Sequence, residues 1–236
     1  MKKLVFMTMG LVALIVASCG YKSEIKPLTD QLVTFTVKND EGKILTGVQN
    51  ELTDKTIVMP NQYTEISADE NTISCADANH QVTAFTINGE HIGIFDMFTH
   101  WTEDGDYYLG TNYNNYCYYF PQQKMLIRAS ASYNTPQYLF IKSEDGWEYR
   151  DHYGAIKGKM PNACALIKRK DKKQQDELLF VMKDEKRGGY FVYRLLEDKA
   201  LAKLSATAWT SKQKILQQVQ VAGDITIYEA NKPLGF

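Results

Sequence analysis

From Gln31 onward apolar and polar residues alternate in short runs, and turn residues close each run. A period of two marks a half-buried strand. Leu32-Val33-Thr34-Phe35-Thr36-Val37 predicts a strand, Asn39-Asp40-Glu41-Gly42 a turn, and Lys43-Ile44-Leu45 the returning strand. Thr56-Ile57-Val58-Met59 predicts a short strand stopped by Pro60. Tyr63-Thr64-Glu65-Ile66 and Thr72-Ile73-Ser74-Cys75 flank a polar turn at 67–71, with Ile73 and Cys75 on one face. The clearest hairpin is 81–87, Asn88-Gly89, then 90–95. Phe85 and Ile87 share a face there, and Asn-Gly suits a turn with positive φ at both central positions.

The middle of the chain keeps this rhythm. Turns are expected at 101–106 and 110–115, around strands at Tyr107-Tyr108-Leu109 and at Tyr116-Cys117-Tyr118-Tyr119-Phe120, the latter ended by Pro121. A strand at 124–129 follows. Tyr138-Leu139-Phe140-Ile141-Lys142, Asp145-Gly146 and Trp147-Glu148-Tyr149 form a second hairpin. Residues 164–168 and 178–182 form a third, around a charged loop at 169–176, and 190–195 is a further strand. The end predicts a short helix at 210–217, a strand at 225–228 and a loose tail at 231–236.

Strand signals therefore recur every ~10–15 residues, with no helices between them. The expected fold is all-β: antiparallel hairpins in a meander that closes as a propeller, a barrel or stacked hairpins, with one short C-terminal helix. One β-rich domain is expected over 31–230.

Composition agrees with sheet. The chain has 15 Tyr and 10 Phe in 236 residues, and aromatic rings fit a pleated, half-buried surface. The formal charge is −1, so no basic excess favours nucleic acid.

The first residues follow a different pattern. Lys2 and Lys3 precede an uncharged apolar run from Leu4 to Ala17, interrupted by Thr8 and Gly10. That is too short to span a bilayer, which needs ~20 apolar residues, and it reads as a signal peptide. Ile15-Val16-Ala17-Ser18-Cys19 resembles the lipobox of bacterial lipoproteins. The resemblance implies that 1–18 are removed and that Cys19 carries acyl chains such as palmitate. Buried methylenes contribute ~0.8 kcal/mol each, so more than one chain holds a protein to a membrane. Lipoproteins kept in the inner membrane of enteric bacteria usually have Asp after the cysteine. Gly20 stands there, so the outer membrane is expected, with the periplasmic or surface face left open. Residues 19–30 then form the lipidated cysteine and a polar tether.

A second resemblance lies inside the strands. Ile57-Val58-Met59-Pro60-Asn61-Gln62-Tyr63-Thr64-Glu65-Ile66 is similar to a segment of WG-repeat proteins, as is Phe85-Thr86-Ile87-Asn88-Gly89-Glu90. Residues 184–193 echo it, although the Trp-Gly pair of that family is absent. The resemblance implies repeated β-hairpin units and a binding role, and it carries over no catalytic residue.

Candidate chemistry is sparse. With Cys19 assigned to lipid, Cys75, Cys117 and Cys164 remain, 42 and 47 positions apart, a spacing unlike any zinc site. They read as small buried hydrophobes. His80, His91, His100 and His152 form neither HxH nor HExxH. No Gly-x-Ser-x-Gly elbow is present. Glu103-Asp104-Gly105-Asp106 lacks the spaced carboxylates of a calcium loop. No catalytic residue, metal or cofactor is therefore assigned. The densest unusual patch is 101–120, rich in Tyr, with Asn112, Asn114 and Asn115 between the rings. Aromatic faces stack on sugars, so Trp101, Tyr107 and Tyr113 are candidate ligand-binding residues, provided their rings are exposed and coplanar.

The leading expectation is a lipid-anchored, non-catalytic envelope module that binds a protein or peptidoglycan-associated partner. A glycan-binding lipoprotein using 101–120 comes second, and an envelope hydrolase third.

Overall fold

The computed structural model describes residues 24–102, 105–113, 115–143, 146–161, 163–170, 176–184, 186, 189–196, 201–204 and 226–228. The signal segment with Cys19, Glu103 and Asp104, the helix expected at 210–217 and the tail lie outside them. Among the described residues the fold is all-β: five open sheets of antiparallel hairpins, arranged successively along the chain.

The first sheet holds β1 (Ile25–Pro27), β2 (Leu32–Lys38), β3 (Ile44–Asn50) and β4 (Thr56–Asn61). The second holds β5 (Tyr63–Ala68), β6 (Thr72–Asp77), β7 (Val82–Thr86) and β8 (His91–Phe95). The third holds β9 (Met97–Trp101), β10 (Tyr107–Asn112), β11 (Asn115–Phe120) and, after a 3-10 turn at Pro121–Gln123, β12 (Met125–Ala129). The fourth holds β13 (Ala131–Asn134), β14 (Leu139–Ser143), β15 (Gly146–Arg150) and β16 (Ile156–Met160). The fifth holds β17 (Ala163–Lys170), β18 (Asp176–Asp184), β19 (Gly189–Leu195), β20 (Leu201–Lys203) and β21 (Thr226–Tyr228). The first four sheets are ordered as the chain runs. In the fifth, β21 adds beside β17, so its order is β20-β19-β18-β17-β21.

Several local expectations are corrected. Pro60 does not stop its strand, because β4 is an edge strand and a missing N–H costs nothing on the open side. Ile25–Pro27 lies within the expected tether but pairs with β2. Thr29 turns the chain back there, its Oγ1 accepting from the N–H groups of Gln31 and Leu32. Residues 110–112 continue β10 rather than forming a turn, and the reversal falls at Tyr113. At Asn88-Gly89 only Gly89 has positive φ (+88°). Thr86 closes that loop by donating its N–H to Glu90 and accepting the Glu90 N–H on its side chain.

The described residues fall into two compact units, one up to Phe98 and one from Thr99 onward. In the first, the first and second sheets face each other across Leu32, Val48 and Val58 on one side and Ile73 and Cys75 on the other. Each such side chain contributes about 1.5–3 kcal/mol when fully buried. The β7–β8 turn seats against β4: a Cβ on Gly89 would come within 2.4 Å of the Ile57 carbonyl oxygen.

In the second unit, Tyr107, Tyr118, Phe120 and Ala129 of the third sheet pack on Leu139 and Ile141 of the fourth. The fourth sheet's other face packs on the fifth through Phe140, Trp147 and Tyr149 against Leu166 and Phe180. Across the fifth sheet Glu177 binds both Arg169, at 2.6 Å, and Arg194.

Candidate functional site

In the first unit the two facing sheets change character together. On β2 the inward face runs from Leu32 to Thr34 and Thr36, with Thr46 beside them on β3. On β6 it runs from Ile73 and Cys75 to Asp77, and on β7 from Phe85 to Thr83. Where both walls are apolar they close as core. Where both turn polar they part.

The result is a groove with two lobes that meet at Tyr63 and Thr64. The larger lobe is about 870 Å³, between the ends of β3 and β4 on one side and the β6–β7 turn on the other. The smaller, about 290 Å³, runs over Thr34, Thr36 and Thr46 towards Glu24 and Lys26. Ligand pockets typically measure ~300–1,000 Å³.

Tyr63 is half-buried against the core and separates the lobes. Burial pushes its phenol up from the ordinary value, and a hydrogen bond with the Asn61 side chain only partly offsets this. The ring thus presents a neutral hydroxyl. The larger lobe is lined by amides from Asn61, Gln62, Asn79 and Gln81 and by the hydroxyls of Thr64 and Thr83. Its two charged residues are already engaged. Lys43 Nζ lies 2.9 Å from Glu41. Asp77 Oδ1 accepts the N–H groups of Asn79, at 2.8 Å, and Gln81, at 3.0 Å, and so shapes the turn.

The second unit treats the end of its third and fourth sheets differently. Tyr107 is buried, 2% exposed, with ring contacts to Tyr118, Phe120 and His152 at about 6 Å. Asn134 Nδ2 donates to its hydroxyl at 3.2 Å, and Asn134 Oδ1 meets His152 Nε2 at 2.9 Å. His152 is itself buried and lies against Gly105, where a Cβ would come 2.1 Å from its own Cβ. Arg150 donates to Glu148 and to the Gly154 carbonyl, both at 2.6 Å. Here rings and polar groups fill the space that the first unit leaves open.

His100 Nε2 lies 2.9 Å from Asp106 Oδ1, and its ring stacks on Tyr108 at 4.1 Å. Gln122 reaches the other Asp106 oxygen at 3.5 Å. Burial alone would raise the Asp151 carboxyl. Hydrogen bonds from Lys157 and from the N–H groups of Ala155 and Tyr153 outweigh it and hold the group below the usual carboxylate value.

The three ring candidates are not brought together. Trp101 is part-exposed and stacks on Tyr107 at 6.4 Å, but Tyr107 lies beneath the surface and cannot serve as an exposed platform. Tyr113 is 89% exposed, at the opposite end of β10, about 20 Å away at the rise of a strand. The cysteines behave as packing groups. Cys75 and Cys117 are buried and unbonded, and the Cys164 thiol donates to the Val181 carbonyl at 3.3 Å. Burial pushes the Cys75 thiol up to about 12. Among the described residues no three His, Cys, Asp or Glu side chains gather as a metal site.

The groove residues escaped the sequence reading, although a signal for them exists. Period-two continuation of the Ile73-Cys75 face arrives at Asp77, and that of Ile87-Phe85 arrives at Thr83 and Gln81. A polar residue on an inward face marks where a core ends. Compared with protein-family models and with curated proteins, the sequence matches none of them.

Proposed function

We propose that this protein is a lipid-anchored, non-catalytic binding module of the bacterial envelope. Acylation of Cys19 tethers it to a membrane, the outer membrane in the preferred reading, and its sheets form a rigid frame for recognition. One observation carries the binding role. The first unit presents exposed polar side chains along an open groove at the ends of its strands. Thr64 and Asp77 also serve the local structure, whereas the exposed amides of Gln62, Asn79 and Gln81 face the groove, where a ligand can use them.

The partner is an envelope protein or a peptidoglycan-associated molecule. Exposed apolar side chains on the unit's strands, Ile44 at 67% and Met59 at 74%, add to what a partner meets. A hydrolase reading would rest on His100 and Asp106, both of which are tied into ring stacking and side-chain pairing.

The test is a pull-down of the full-length protein from its own envelope, with Cys19→Ala as control. The wild type is expected in the membrane fraction, with diacylglyceryl and acyl mass on Cys19, and with a partner retained. An unmodified N-terminus or a cytosolic location would overturn the anchoring.

A further inference from the structure

The chemistry of the groove narrows what it binds, and this step rests on the binding reading above. The larger lobe has four side-chain amides and two threonine hydroxyls, of which Thr64 also donates to the Ala76 and Asp77 carbonyls, and its one lysine and one aspartate, Lys43 and Asp77, balance in formal charge. Phosphates and carboxylates are recognised by Arg, Lys or clustered N–H donors, and polycations by carboxylates. Neither kind of array lines this lobe. Amides and hydroxyls both donate and accept, which matches groups that do the same: the hydroxyls of a sugar. Tyr63 at the floor and Ile44 at the rim add apolar surface for the C–H face of a pyranose ring.

We propose that the groove centred on Tyr63, between the end of β4 and the β6–β7 turn, binds a neutral glycan segment. In this assignment the amides of Gln62 and Gln81 hold sugar hydroxyls from opposite walls, and Tyr63 supports the ring face. The smaller lobe over Thr34, Thr36 and Thr46 takes the continuing chain. The site is distinct from the aromatic segment 101–120, whose central ring, Tyr107, is buried.

Residue placement supplies the discriminating experiment. Residues 24–98 contain no tryptophan, and Trp101 and Trp147 belong to the second unit. Full-length lipidated protein in a non-glycosidic detergent is titrated with chitotetraose, maltohexaose and cellohexaose. Inorganic phosphate and a trilysine peptide serve as charged probes. Binding is read by calorimetry and by saturation-transfer NMR, and tryptophan emission is followed in parallel.

The expected result is binding of at least one neutral oligosaccharide, seen both by calorimetry and by saturation transfer. Gln62→Ala with Gln81→Ala should weaken it about tenfold, the loss of one or two net hydrogen bonds. Tyr63→Phe should weaken it less than Tyr63→Ala. An unchanged unfolding midpoint in the double variant assigns the loss to the site rather than to the fold.

Binding that quenches tryptophan and ignores the groove variants would overturn the proposal. So would failure of all three oligosaccharides, or preference for either charged probe. Envelope capture that needs Cys19 but survives the groove variants would overturn this inference while leaving the binding module intact.

Discussion

The two units meet the same problem in opposite ways. Each stacks antiparallel sheets face to face, and in each the apolar core ends before the strands do. The second unit fills that end with Tyr107, His152, Asn134 and Arg150, locked by ring contacts and hydrogen bonds near 3 Å. The first leaves its end open as a groove of amides and hydroxyls. The aromatic accumulation at 107–120 is largely packed: Tyr107, Tyr108, Tyr118, Tyr119 and Phe120 are each 5% exposed or less. Buried polar networks are worthwhile only when every member is satisfied, which explains why the filled end is so densely bonded.

That contrast can be broken most forcefully at the core of the second unit. Phe140 is 1% exposed and meets Tyr133, Tyr149 and Phe180. Phe140→Ala should cost about 3–5 kcal/mol. Urea unfolding followed by tryptophan emission reports it, since the buried Trp147 lies in the second unit.

Gly105→Ala attacks the filled end itself by driving a methyl into His152. A loss of about 1–3 kcal/mol is expected from overpacking. The same tryptophan signal should shift, while oligosaccharide binding by the first unit should not.

Gly89→Ala is the counterpart in the first unit. It combines positive φ with a clash on the Ile57 carbonyl, and about 1–3 kcal/mol is the expected cost. Exposure of Cys75 to a thiol reagent under mild urea reads it, since that thiol is buried in the native unit.

A reversible effect is expected with pH. The folded state raises the Cys75 thiol from about 9 to about 12, so it binds more protons than the unfolded chain in that window. The stabilisation is whole below pH 9 and is lost as pH rises towards 12. Cys75→Ala should flatten this alkaline loss in the first unit. In the second, burial raises Tyr118 from 10.0 to about 12, despite its bond to Ser132, and the variant leaves that response unchanged. Asp151 acts with opposite sign. Its lowered carboxyl stabilises the second unit above its unfolded value, and the contribution fades as pH falls.

The smallest expected effect sharpens the comparison most. Gln81→Ala and Thr83→Val, in the open groove, should change stability by no more than about 0.5 kcal/mol, as substitutions outside a packed core do. A loss above 2 kcal/mol in thermal unfolding would mean that the groove is structural, like the filled end.

Much was legible from the sequence. Alternation placed β2, β6, β7, β11, β14 and β19, and it put Ile73 with Cys75 and Phe85 with Ile87 on one core face, as found. The strands not expected, β1, β9, β13, β16 and β20, are all part-exposed or exposed edge strands with patterns too short or too mixed to read. Edge strands satisfy their hydrogen bonds on one side only, so their sequences are weakly constrained.

The sequence alone determined the all-β class, the hairpin rhythm and the expectation of an acylated Cys19, because alternation, turn chemistry and the lipobox pattern are local. Only the tertiary structure decided that Tyr107 is buried, that Tyr113 stands a strand's length away, and that Tyr63, Gln62 and Gln81 share one groove. Which face of a strand meets another sheet, and how closely, depends on residues far apart along the chain. No local pattern carries that information.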